Sequence, residues 1–259
     1  MSRVTSLAHR PKLARRSNDD TVPPTCRAVS TFFWDTGFET APDIVKLCAQ
    51  SWLRFHPDWD VVLLDQTQAD EILPRDGFPA EMIISHYADM LRTALLLKHG
   101  GVWADATCLC LKPLDGWLPN IFNQCGFFAF HKPGPDRLIS SWFLAAAKNS
   151  VVVEEMHAIF GAYWKWGPHH AGKPPYFWFH YLFEHLVQDN RDVRARWSHA
   201  PKISAVPVHQ LKRLLSGTID DTARIRAMIG ATPVQKLTHK QDIKVDDILE
   251  ILDQVGITL

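Results

Sequence analysis

The sequence predicts an α/β fold: a mostly parallel sheet with flanking helices, followed by a mixed, helix-rich C-terminal half. Two observations carry this. The first half alternates strand, helix, strand, helix, helix, strand, the order that builds a parallel sheet with helices on its faces. The chain has 259 residues, 46% of them hydrophobic, enough for one sizeable core.

The elements follow in order. Residues 1–27 hold Arg3, Arg10, Lys12, Arg15, Arg16 and Arg27 against Asp19 and Asp20, with three prolines and few large apolar side chains. Such an arm is expected to be disordered, and its basic, acid-poor start reads as a flexible tail, an anionic-membrane contact or a transit peptide. The single domain then spans 28–259. Its strand 28–34 (AVSTFFW) is β-branched and aromatic. Ile44, Leu47, Cys48, Trp52 and Phe55 recur at helical spacing behind Pro42. DVVLLD at 60–65 reads as a fully buried strand, and a short helix covers 67–73 before Pro74. Tyr87, Met90, Leu91, Ala94, Leu95 and Lys98 line one side of a strong helix that Gly100 and Gly101 stop. A strand follows over 102–111. Beyond Pro113, CGFFAFHK suggests a strand, 138–148 and 151–165 helices, PYFWFHYLFEHLVQ an aromatic helix and 244–254 a last amphipathic one.

Formal net charge is zero, which gives no electrostatic case for nucleic acid. No run of 18 or more apolar residues is present, so no transmembrane helix is expected. The five cysteines show no C-x-x-C spacing, as expected of a reduced, cytoplasmic protein, peripheral to the membrane if the basic arm engages it.

The chemistry concentrates in KHGGVWADATCLCLKPLD, residues 98–115. A lone carboxylate in an apolar strand needs a partner, because an unpaired buried charge is expensive. Strand alternation puts Asp105 and Thr107 on one side, where they either share a hard divalent cation or accept bonds from a ribose. One helix earlier Asp89 and Arg92 lie three residues apart and face one way, either as an exposed ion pair or as a fork for sugar hydroxyls. Adjacent His169 and His170 suggest a loop over the site, and His56 and Asp58 read as turn residues.

The string YADMLRTALLLKHGGVWADATCLCLKPLD, residues 87–115, resembles the capsular polysaccharide synthesis proteins. These belong with sugar transferases carrying an SDLLR…L…GGxYxDxD…KPLD block, such as initiating mannosyltransferases and glucosylating clostridial toxins. Weaker resemblance runs through FFWDTGFETAPDIVKLCAQSW, SSWFLAAAKNS, YFWFHYLF and QKLTHK. The resemblance implies a GT-A-like, Rossmann-type glycosyltransferase with a nucleotide-sugar donor and a saccharide or glycan acceptor. It implies a donor half over 28–115, an acceptor half over 116–259 and retention of anomeric configuration. Asp89 and Arg92 would contact the donor sugar, and Asp105 would touch ribose, sugar or metal. The usual second aspartate of the D-x-D, the metal ligand, falls on Thr107, a far weaker ligand for Mn²⁺ or Mg²⁺. Any metal would then be held mainly by diphosphate oxygens with Asp105. Trp34 stands where related enzymes stack an aromatic on the base, or else in the core. His239 and Lys240 resemble a late polar element that reaches diphosphate or metal, or form a surface pair. His180 is either an acceptor-side residue or helix core.

Three function classes remain. The first is a sugar transferase, and the second a non-catalytic relative that binds nucleotide or glycan. The third, another nucleotide-using α/β enzyme, lacks its usual marks: the sequence has no P-loop, no dinucleotide fingerprint, no nucleophile elbow and no zincin histidine pair.

Overall fold

The computed structural model describes residues 30–122, 125–166 and 173–259. The basic arm and the His169–His170 loop lie outside the described residues. A five-stranded sheet runs in the order β2 (Val61–Leu64), β1 (Ser30–Phe33), β3 (Gly101–Ala104), β6 (Arg137–Ala146) and β5 (Phe127–Gly134), and a small second sheet pairs β4 (Cys108–Cys110) with β7 (Val234–Lys236).

β1 (Ser30–Phe33) is flanked in parallel by β2 (Val61–Leu64) and β3 (Gly101–Ala104). Between them run α1 (Asp43–Phe55), the short α2 (Gln66–Asp70) and α3 (Ile84–His99). α2 starts on a capping box, in which the Asp65 side chain accepts from the Gln68 N–H and Gln68 reaches back to the Asp65 N–H. α3 ends at Gly100, whose φ of 70° and ψ of −159° are open only to glycine. The α/β class expected from the sequence is therefore observed.

Three local expectations are corrected. Residues 138–148 are not a helix: β6 (Arg137–Ala146) sits in the sheet, antiparallel to both β3 and β5 (Phe127–Gly134). Ile139, Ser140, Trp142, Phe143, Leu144, Ala145 and Ala146 are all buried. A strand buried on both faces loses its alternation, and its leucines and alanines then read as helix. β2 is only half-buried apart from Leu64, because it is an edge strand. The expected strand 102–111 breaks at Asp105. There the Asp105 carbonyl accepts from the Cys108 N–H at 2.8 Å, a turn, and β4 (Cys108–Cys110) leaves to pair with β7 (Val234–Lys236).

The sheet separates two apolar layers. Trp103, Phe127, Ala129, Leu144 and Ala146 face a cluster that includes α5 (Val151–Trp166), α6 (Trp178–Asp189) and α7 (Arg191–His199). Phe32, Val102, Ala104, Phe128, Phe143 and Ala145 face Trp52, Cys108 and Cys110. The indole N–H of Trp52 donates to the Cys108 carbonyl at 2.8 Å, tying α1 to the second sheet. His56 is a buried latch as well as a turn residue. Its Nε2 accepts from the Leu114 N–H at 2.9 Å, which leaves Nδ1–H for the Trp52 carbonyl at 3.1 Å. The short α4 (Leu118–Phe122) precedes β5, and α8 (Gln210–Leu215), α9 (Ala223–Ala231) and α10 (Val245–Gln254) complete the C-terminal third. Cys48, Cys108, Cys110 and Cys125 are buried and unpaired. Among the described residues no helix is long and apolar enough to cross a membrane.

Candidate active site

The glycine pair after α3 turns the chain back along the helix it has just left. β3 then carries Asp105, at its carboxyl end, to the middle of α3. Arg92 is the hub. Its Nη1 donates to Asp89 Oδ1, and its Nη2 donates to Asp105 Oδ1 at 3.1 Å. The Trp103 indole N–H donates to the same Oδ1 at 3.0 Å. The guanidinium lies 5.2 Å from the Trp103 ring centroid and 5.6 Å from that of Phe179 on α6. The side chains of Arg92 and Asp89 are only 4% and 11% exposed, so the pair is not the solvated one that spacing alone allows. Its energetics are those of a buried pair, in which losing one partner is far more damaging than the pair is stabilising.

Lys236, at the end of β7, closes the other side. Register pairs it with Cys108, and the Leu237 N–H donates to the Thr107 carbonyl at 2.8 Å. This sets the Lys236 ammonium 3.9 Å from Asp105 Oδ2, donating to the Thr107 hydroxyl and, at 3.2 Å, to the Leu237 carbonyl. Asp105 thus lies between two cations while its side chain stays 30% exposed. Asp105 and Thr107 do share a site, but through a turn and a lysine rather than through strand alternation.

Burial pushes the Asp89 carboxyl up from 3.8 to about 7 against the pull of Arg92. The folded chain therefore holds a proton that the unfolded chain releases. This contribution to stability is full below pH 3.8 and is lost as pH rises through about 7. Asp89→Asn is expected to remove that slope. Urea unfolding of parent and variant at about pH 4.5 and about pH 8 measures it, and parallel pH profiles would refute it.

The remaining candidates lie around this hub. Trp34, at the end of β1, meets His239 edge-to-face at 5.0 Å. His239 is exposed, and partial burial lowers its pKa, helped by Lys240 and Lys236. Lys240 is exposed and its N–H donates to the Thr238 hydroxyl at 3.2 Å. His180 on α6 is buried between Phe177 and Phe179, and burial, then Arg137 and Arg92, push it down to about 3. It is a neutral imidazole, with an Nδ1 that has no partner among the described residues.

The model of the capsular polysaccharide synthesis protein family matches residues 31–255. The chain belongs to that family. It is 28% identical over 153 residues to the glycosyltransferase afumC of Aspergillus fumigatus, and 25% identical over 154 residues to the O-glycosyltransferase braB of Annulohypoxylon truncatum. Each match takes in 51% of this chain, and 39% and 36% of those relatives' own lengths. A solved PaToxG glycosyltransferase aligns over 89% of this chain and 85% of its own, at 13% identity and a TM-score of 0.42.

The divalent ion that the family resemblance implies does not fit the residues present. Mg²⁺ and Mn²⁺ take oxygen ligands with open lone pairs. Here the Thr107 hydroxyl accepts from an ammonium and Asp105 Oδ1 accepts two donors, so an ion shared by these residues would press against Lys236. His239 turns toward Trp34. Among the described residues no three His, Cys, Asp or Glu side chains converge. The sequence reading did not single out Lys236 or the Trp103 indole N–H as partners of Thr107 and Asp105. The trace that Lys236 left in the sequence was its place in the QKLTHK stretch.

Proposed function

We propose that this family member is a glycosyltransferase that moves a sugar from a nucleotide-sugar to a saccharide or glycan acceptor, in the making of capsular or surface polysaccharide. One observation carries the reading. A buried arginine, held between Asp89 and Asp105 with Lys236 on the far side of Asp105, forms a rigid charged group at the carboxyl end of β3, where α/β sheets hold ligands. The family membership supports the same chemistry.

In this reading Asp89 and Arg92 orient the donor sugar, Asp105 presents its open face to sugar or ribose, and Trp34 meets the base. Thr107 fixes Lys236, and Lys240 and His239 border the diphosphate. His180 lies toward the acceptor as a neutral hydrogen-bonding group. The 28–115 segment supplies most donor contacts, and 116–259 adds Lys236 and the acceptor side. The bond from the anomeric carbon to the diphosphate oxygen breaks and its electron pair leaves with the diphosphate. The acceptor oxygen forms the new bond on the face that was left, and its proton passes to the released diphosphate. Retention follows, and stabilising the leaving charge is the main work asked of the protein. The reaction takes place in the cytoplasm, with the basic arm as the membrane contact.

A thermal-shift panel of UDP, GDP, CMP and their sugars identifies the donor. At about 100 times its Kd a ligand adds roughly 2.7 kcal/mol. With that donor, Asp105→Ala is expected to lower turnover about a hundredfold or more. A panel without a binder, or a variant as active as the parent, would remove the proposal.

A further inference from the structure

We infer that Lys236 supplies, as a fixed ammonium, the positive charge that a divalent ion supplies beside the second D-x-D aspartate of related sugar transferases, so that this site binds diphosphate without a metal. The inference rests on the nucleotide-sugar reading and deepens it.

The substitution is coupled in structure. Where the wider pattern has a carboxylate, this chain has the Thr107 hydroxyl, and that hydroxyl accepts from the lysine. An aspartate there would provide the ion's ligand. A threonine there positions an ammonium whose charge the nearby Asp105 only half claims, since Arg92 binds the other oxygen of the same carboxylate. Arg92 and Lys236 offset the charges of Asp89 and Asp105, and the Lys236 ammonium, 17% exposed and 3.9 Å from its carboxylate, is the less tightly paired of the two cations. The β4–β7 ladder holds Lys236 from both ends, with Cys108 opposite it and the Leu237 N–H bonded to Thr107, so little chain entropy is lost when an anion arrives.

Further charge surrounds the same place. His209, which packs edge-to-face on Trp142 at 5.3 Å, is pushed down to about 4, first by burial and then by Lys212, Lys236, Arg137 and Arg213. Four cations thus act on one imidazole. Trp142 in turn accepts the Asp105 N–H on its carbonyl at 2.9 Å, which joins this basic group to the site. A polyanion such as a nucleoside diphosphate matches that field, whereas a divalent cation is repelled by it.

The test uses inorganic pyrophosphate as the probe, titrated calorimetrically into the full chain in EDTA and, separately, as its preformed Mn²⁺ complex. Binding is expected in EDTA, with the Mn²⁺ complex no tighter. Lys236→Met should weaken binding about tenfold or more, whereas Lys236→Arg, which keeps the charge, should stay within about threefold. The double variant Lys236→Met with Thr107→Asp should bind Mn²⁺ alone, which the parent should not. If Lys236→Met fails to fold, the parent's two titrations and Lys236→Arg still decide. Binding seen only with Mn²⁺ overturns the inference and leaves the transferase reading intact. Binding in neither titration overturns it too, and the nucleotide-sugar thermal-shift panel then judges the transferase reading on its own. Unchanged affinity in Lys236→Met also overturns it.

Discussion

Arg92→Met is expected to abolish transfer and, at about pH 9, to cost about 3–5 kcal/mol of stability, because ionised Asp89 then has no counter-charge in its buried place. At about pH 6, where Asp89 holds a proton, the cost should be smaller. Methionine keeps much of the contact with Trp103 and Phe179, so the loss reports charge rather than a cavity. Asp105 retains Lys236 and suffers less. The loss should grow with pH. Without the guanidinium the Asp89 carboxyl moves further above the value of about 7 that burial already imposes, so ionising it costs the folded state more. Adding Asp89→Asn should restore a large share of the stability and none of the activity. Denaturant unfolding at about pH 6 and about pH 9 measures both effects. A single variant as stable as the parent would mean that Arg92 does not hold this buried charge in place.

The next largest effect is expected at the glycine stop of α3. At Gly100 an added Cβ would stand 2.6 Å from the Lys148 amide nitrogen and 3.0 Å from the Ala146 carbonyl oxygen, in a backbone conformation closed to other residues. Both contacts are main chain, so no rotamer relieves them. Gly100→Ala should cost about 3–5 kcal/mol, strain and overpacking together. Gly77, with nothing within 4 Å of an added Cβ, is the control, and Gly77→Ala should stay within about 0.5 kcal/mol. Equal stabilities for the two variants would show that the close approach of β6 to the end of α3 does not constrain the turn. The double glycine of the motif is thus a geometric device. It lets the chain reverse closely enough for Asp105 to meet Arg92.

What the sequence revealed and what it hid follow one physical division. α3, its glycine stop and the acidic position after β3 are local patterns with local causes: helical spacing, a positive φ and a carboxylate that needs a partner. β6 was hidden because its fate is set by β3 and β5 on either side. With both faces buried, leucine, alanine and phenylalanine carry no period to read. The Asp89–Arg92 spacing left a surface ion pair and a sugar-binding fork both open. Only burial, invisible in spacing, removed the first. Lys236 was hardest of all, since the hydroxyl that it bonds lies 129 residues away in the chain. Thr107 looked like a weakened ligand when read alone. Beside Lys236 it is the acceptor that the lysine needs.

The break after β3 has a consequence for biosynthesis. β4 leaves the main sheet to wait for a partner strand from the last part of the chain. At ordinary elongation rates the 129-residue separation of Thr107 and Lys236 takes roughly 6–26 seconds to be made. During that interval Cys108, Leu109 and Cys110 form an unpaired apolar edge of the kind that invites wrong pairing. A polypeptide released before Val234 would keep that edge bare. Completion of the charged site and protection of the nascent chain from aggregation are therefore one event, the docking of β7.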